Sequence, residues 1–241
     1  MDMKNINKLA DLKNINNLAR LIFKNNKSKG FHDKEQSNET LFMLVITELA
    51  EAVDADRKGR RANIEEYNSL MKGYTPSDSP ITFVHLFETH IKDTIEDELA
   101  DAAIRLLDTA GALDERLSIE SVYLNKEKAT ERLKGLQLTE SLFKLITTIT
   151  YTFQFYGNKA AIENGIGELL AICSLMDIDV MYHVELKLRY NETRAYCKSY
   201  THYYGYNLNY DLYYYFNYHN PNEFLLSNKW FILSSFFTIK L

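Results

Sequence analysis

Apolar residues recur at helical spacing through most of this chain. Between Asn5 and Phe23 they fall at Ile6, Leu9, Leu12, Ile15, Leu18 and Ile22, the three- and four-residue steps that put one stripe on one helix face. A polar stretch, Asn25 to Asn38, reads as a loop. Ser37 or Asn38 can cap a second helix that runs to about Arg57 and stops near Gly59. Lys72 to Pro80 holds two of the three prolines and reads as another loop. A long helix is predicted from about Phe83 to Ala110, ending at Gly111. Leu142 to Phe155 is rich in Ile, Thr and Phe, which suits a strand as well as a helix; its helical neighbours favour helix. Ala160 to Arg194 reads as one long or once-broken helical region, interrupted around Asp177 to Asp179. The expectation is an all-α bundle.

Residues 200–241 break the pattern. They hold nine of the 17 tyrosines, the single Trp230 and only four charged residues. No period persists through them. Phe224 to Leu241 is apolar but interrupted by Asn228 and Lys229, which falls short of a membrane span. The division expected is a helical domain over 1–199 and an irregular tail over 200–241. The tail reads either as a dimerisation or membrane-associating segment or as out-of-frame translation of AT-rich DNA, and no function is placed on it.

Composition narrows the classes. Three prolines and nine glycines in 241 residues favour long helices over a sheet with many turns. A net charge of -5 gives no overall attraction for nucleic acid or an anionic membrane. Cys173 and Cys197 match neither a paired metal-ligand spacing nor a disulfide framework. The Asn- and Lys-rich start lacks the apolar core of a signal peptide, so a cytoplasmic location is expected.

The candidate chemistry lies in two helices. At about 100° per residue, Glu48 projects among Leu41, Leu44, Val45 and Ala52, with Glu51 one turn on. The later helix is apolar nearly all round, which is the mark of burial. One polar line interrupts it: Glu98, Asp101, Arg105 and Asp108. Two helices that each offer carboxylates at i and i+3 can converge four anions, and four anions in one small volume repel unless cations lie between them. Carboxylates select hard cations such as Mg²⁺ or Mn²⁺. A di-iron carboxylate bundle, the obvious competitor, uses E-x-x-H pairs, and the chain has no E-x-x-H. Acids at i and i+3 also occur on ordinary solvated helix faces. Further on, Lys187, Asn191 and Arg194 share a helix face at i, i+4 and i+7, as suits either polyphosphate binding or a plain basic surface.

In order, the segments KGFHD (Lys29 to Asp33), ITELAEAVDADRKGR (Ile46 to Arg60), IEDELADAAIRLLD (Ile95 to Asp108) and KLRYNETR (Lys187 to Arg194) resemble the MazG-like all-α nucleoside triphosphate pyrophosphohydrolases. The resemblance implies Glu48, Glu51, Glu98 and Asp101 as catalytic Mg²⁺ ligands. It implies Lys187, Asn191 and Arg194 as the triphosphate contacts, with Phe31 and His32 near the base. It further implies a homodimer or homotetramer acting on a nucleoside triphosphate. In close relatives the K-x-x-x-N-x-x-R helix follows the E-x-x-D helix directly, whereas a long insertion separates them here. Two rival readings stand beside this one: a non-catalytic helical assembly or regulatory protein on the same scaffold, and a hydrolase for another diphosphate compound such as a phosphoribosyl nucleotide.

Overall fold

A computed structural model describes residues 14–74 and 79–193. Among the described residues there are nine α-helices and no strand: α1 (Ile15–Ser28), α2 (Asn38–Arg57), α3 (Ile64–Leu70), α4 (Pro80–His90), α5 (Ile95–Ala112), α6 (Ile119–Leu133), α7 (Leu138–Tyr156), α8 (Asn158–Leu175) and α9 (Val180–Thr193). The expected all-α bundle is what forms. No helix among these residues is long and apolar enough to cross a membrane. The tail over 200–241, Cys197 and Arg194 lie outside the described residues.

Local signals explain most boundaries. Ser37 caps α2 by accepting the Thr40 amide at 3.2 Å, as expected of a Ser just before an apolar stripe. The choice of helix for the Ile/Thr/Phe-rich segment holds. In α7 the hydroxyls of Thr147, Thr150 and Thr152 return to carbonyls one turn back, so β-branched residues that favour strands by propensity are absorbed into a helix packed on α8. The break expected near Asp177 to Asp179 is present between α8 and α9.

Three boundaries differ from the sequence reading. α1 continues to Ser28, four residues into the predicted loop. α3 and α6 fall where no helix was expected. The long helix predicted from Phe83 to Ala110 is two helices, α4 and α5. The chain turns at Asp93, whose φ is +59°. Thr94 then caps α5 by accepting the Asp97 amide at 3.3 Å. T-x-x-D is a helix-start signature, overridden in a periodicity reading by the apolar residues on both sides.

α5 is the central element. It packs on α1, α2, α8 and α9, while α7 bridges α2 and α8 and α6 lies on α8. The main core runs through Leu18, Ile22, Val45, Leu49, Leu99, Leu106, Leu142, Ile149, Ile162 and Leu169, all nearly inaccessible. A second apolar cluster, with Tyr67, Phe83, Phe87, Leu186 and Tyr190, joins α3, α4 and α9. Close approach of α8 to α6 needs Gly167: a Cβ there would meet Asn125 Cβ and the Val122 carbonyl at 2.7 Å. Gly167→Ala should therefore destabilise the bundle by about 1–3 kcal/mol, the range for overpacking a close-packed interior. Chemical denaturation measures it, and a neutral result would mean the two helices can separate freely.

Candidate metal centre

Burial of acids on α2 and α5 defines the site. Glu48 and Glu98 are buried and Asp101 is half-buried. One oxygen from each lies within 4.8 Å of the others, an arrangement able to hold a metal ion. The predicted convergence therefore forms for three of the four acids. Glu51 is exposed and does not belong to that group, although its charge acts on both Glu48 and Glu98. One turn along α2 carries its side chain from the buried stripe to the rim.

Electrostatics show the tension in this group. Burial pushes the Glu98 carboxyl up to about 8, helped by the neighbouring charges of Asp97 and Asp101. The Glu48 carboxyl is also raised, first by burial and then by Asp101, against the opposing effect of Arg105. Arg105 donates from Nε to Glu48 Oε1 at 2.9 Å. Placing three acids in the first turn of α5 (Glu96, Asp97 and Glu98) offsets part of the cost, because the helix N-terminus carries partial positive charge.

The polar line of α5 does not pair within itself. Arg105 reaches Glu48 on α2, and Asp108 holds His32 Nε2 at 2.9 Å and 3.0 Å from its two oxygens. His32 also meets the Phe23 ring edge-on, with centroids 4.9 Å apart. His32 is thereby a tie between the α1–α2 loop and α5. Phe31 in the same loop is half-buried.

α9 closes the site from the other side. Lys187 is buried, and its ammonium lies 2.7 Å from Asp101 Oδ2 and 2.9 Å from both oxygens of Asp97. Burial opposes its charge, but Asp101 and Asp97 outweigh that and hold its pKa above the ordinary lysine value. The long insertion thus does not keep Lys187 from the acids of its own chain, since α6 to α8 fold as a side layer and α9 returns to α5. Lys29 donates to the Asn191 carbonyl, linking the KGFHD loop to α9 as well. The Asn191 side-chain oxygen is buried without a hydrogen-bond partner.

Asp97 is the residue the sequence reading missed. It is 1% exposed, accepts the Asp93 amide at 3.0 Å and anchors Lys187. Its signal was present: Asp97 stands four residues before Asp101, hence on the same face of α5. His90 Nδ1 lies 3.8 Å from Glu66 Oε2. Cys173 is a buried free thiol.

No family model, curated protein or solved structure matches the chain.

Proposed function

We propose that the chain is a Mg²⁺-dependent hydrolase that splits a nucleoside triphosphate into the monophosphate and pyrophosphate. The observation that carries this reading is convergence. Segments far apart in sequence meet on α5: Glu48 through Arg105, Lys187 through Asp101, and His32 through Asp108. The same four segments carry the resemblance to MazG-like pyrophosphohydrolases. Glu48, Glu98 and Asp101 lie close enough to share one cation, and burial, with the charges of Asp97 and Asp101 beside it, disfavours the ionised form of Glu98 unless a cation answers it.

The donor set fits a hard divalent cation, being all carboxylate oxygen. Glu48, Glu98 and Asp101 would hold Mg²⁺, with Mn²⁺ as the natural substitute. A bound Mg²⁺ supplies positive charge to phosphate oxygens and acidity to nearby water. Glu51, exposed at the rim, accepts the proton of a water whose oxygen attacks the α-phosphorus. The bond from that phosphorus to the bridging oxygen breaks, and pyrophosphate leaves with the electron pair. The Asn191 side-chain amide would donate to a phosphate. Lys187 and Arg194 complete the proposed triphosphate contacts, with Phe31 and His32 on the side of the base.

The test is a pyrophosphate-release screen over a panel of ribo- and deoxyribonucleoside triphosphates, with and without Mg²⁺. Metal-dependent release of pyrophosphate, not orthophosphate, is expected. Absence of turnover on every triphosphate, with turnover of a phosphoribosyl or other diphosphate compound, would move the assignment to the second reading. Absence of both would leave the non-catalytic one.

A second copy of the chain is the proposed partner, and α7 carries the support. Its inner side buries Leu142, Leu145 and Ile149, while Phe143, Tyr151 and Phe155 on other sides are 68%, 52% and 62% exposed. The Thr147 and Thr150 hydroxyls are engaged by backbone carbonyls, which leaves Lys144 and Gln154 as the exposed polar side chains beside the rings. Three rings at about 100–150 Å² of open surface each supply roughly half of the ~800 Å² per partner that a stable interface buries. Phe143→Glu with Phe155→Glu should convert a dimer to monomer in sedimentation equilibrium at micromolar concentration. An unchanged mass would place the interface elsewhere.

A further inference from the structure

We infer that Lys187 is the resident counter-cation of the acidic cluster and competes with the divalent cation for Asp101. This rests on the reading above that Glu48, Glu98 and Asp101 take a divalent cation.

An ammonium group has three hydrogens to donate. In this structure they have three close acceptors: Asp97 Oδ1, Asp97 Oδ2 and Asp101 Oδ2, at 2.9, 2.9 and 2.7 Å. With all three engaged and the side chain buried, Lys187 has no donor left for a phosphate. Its two partners are not equivalent. The Asp97 side chain is 1% exposed and is also fixed by the Asp93 amide. The Asp101 side chain is 20% exposed and offers an oxygen to the group with Glu48 and Glu98, whereas the oxygen that Asp97 can offer to a neighbouring group with Asp93 and Glu98 belongs to a carboxylate already held by Lys187 and the Asp93 amide. Asp97 is therefore the permanent anchor and Asp101 the shared ligand. When Asp101 turns to a divalent cation, Lys187 stays on Asp97 and one N–H becomes available to an anion. Metal loading and the capacity to hold a polyphosphate are then linked through one side chain, which favours metal and nucleotide arriving together over either alone.

A competitor's removal tightens its rival's binding. In Lys187→Met, which keeps the length of the apolar stem on the Phe87 ring (Nζ lies 5.8 Å from its centroid), Mn²⁺ affinity should rise about 5- to 100-fold. The readout is loss of the free Mn²⁺ signal in electron paramagnetic resonance titrations of the full chain, without nucleotide. Lys187→Gln, which removes the charge but keeps a donor beside Asp97, covers the case in which the Met variant does not fold, and should shift the same way. Circular dichroism establishes that each variant is folded. If the parent binds Mn²⁺ and the folded variants bind it equally or more weakly, Lys187 does not compete and the inference fails while the metal reading stands. If neither parent nor variants bind Mn²⁺, or if Glu98→Gln leaves the parent's affinity untouched, the metal reading falls and takes this inference with it.

Discussion

Glu98→Gln is expected to remove Mg²⁺-dependent pyrophosphate release while making the metal-free protein more stable at pH 8. Loss of a partner one step removed from a metal already costs about 10–100-fold, and a direct carboxylate donor should cost more. Substitution of the exposed Glu39 serves as control and should leave turnover unchanged. The stability effect has the opposite sign because Glu98's folded-state carboxyl titrates near 8 against an ordinary 4.5. Its charge is disfavoured by folding, so the metal-free protein loses stability as pH rises from about 4.5 to about 8. The amide removes that loss, worth about 1–2 kcal/mol after allowance for solvent screening at the open edge of the cluster. At roughly 2–4 °C per kcal/mol for a chain of this size, thermal melts at pH 8 resolve it. A melt that moves down instead would mean that Glu98 is well paired in the metal-free state.

On the proposed reading, the same titration sets the pH dependence of metal binding. Below pH 8 a cation must displace a proton from Glu98, so Mg²⁺ affinity should rise with pH, by up to about tenfold per unit between 6 and 8. Calorimetry in two buffers of different ionisation enthalpy reads the released proton directly. In Glu98→Gln the remaining affinity should be much flatter over that range.

Asp97→Ala should be the most damaging change for folding among the acids of α5. It strips the buried Lys187 of two of its three acceptors. It also removes the acceptor for the Asp93 amide, where φ is +59°. Losing one member of a buried ion pair costs about 3–5 kcal/mol. Asp101 still holds the ammonium at 2.7 Å, so about 2–4 kcal/mol is expected. Urea unfolding measures it, and Asp97→Asn, which keeps one acceptor, should fall between. A loss under about 0.5 kcal/mol, the scatter of plain surface substitutions, would show that Lys187 relaxes to solvent and that the pair does not hold α9 to α5.

Helix type was legible wherever a stripe ran long, as in α2 and in α8 with α9. Boundaries governed by backbone turns were not. Apolar residues continue from Phe83 through Ile95 to Leu107, and periodicity cannot register a turn when the residues flanking it are buried on both helices. The turn at Asp93 shows only in the T-x-x-D cap that follows it. α3 and α6 went unread because their buried residues are few: Tyr67 in one, and Val122, Ala129 and Leu133 in the other.

Spacing on each helix alone determined that Glu48, Glu98 and Asp101 border apolar stripes, since side-chain direction along a helix is a local property of the backbone. Which acids meet, and which cation answers them, depended on how helices lie against one another. Tertiary structure left Glu51 exposed, brought in Asp97 as an anchor and placed Lys187, read in the sequence as a triphosphate contact or a basic surface residue, in a buried ion pair. Those outcomes follow from the crossing of α2, α5 and α9, which is set by the total packing of the core and is written in no single stretch of chain.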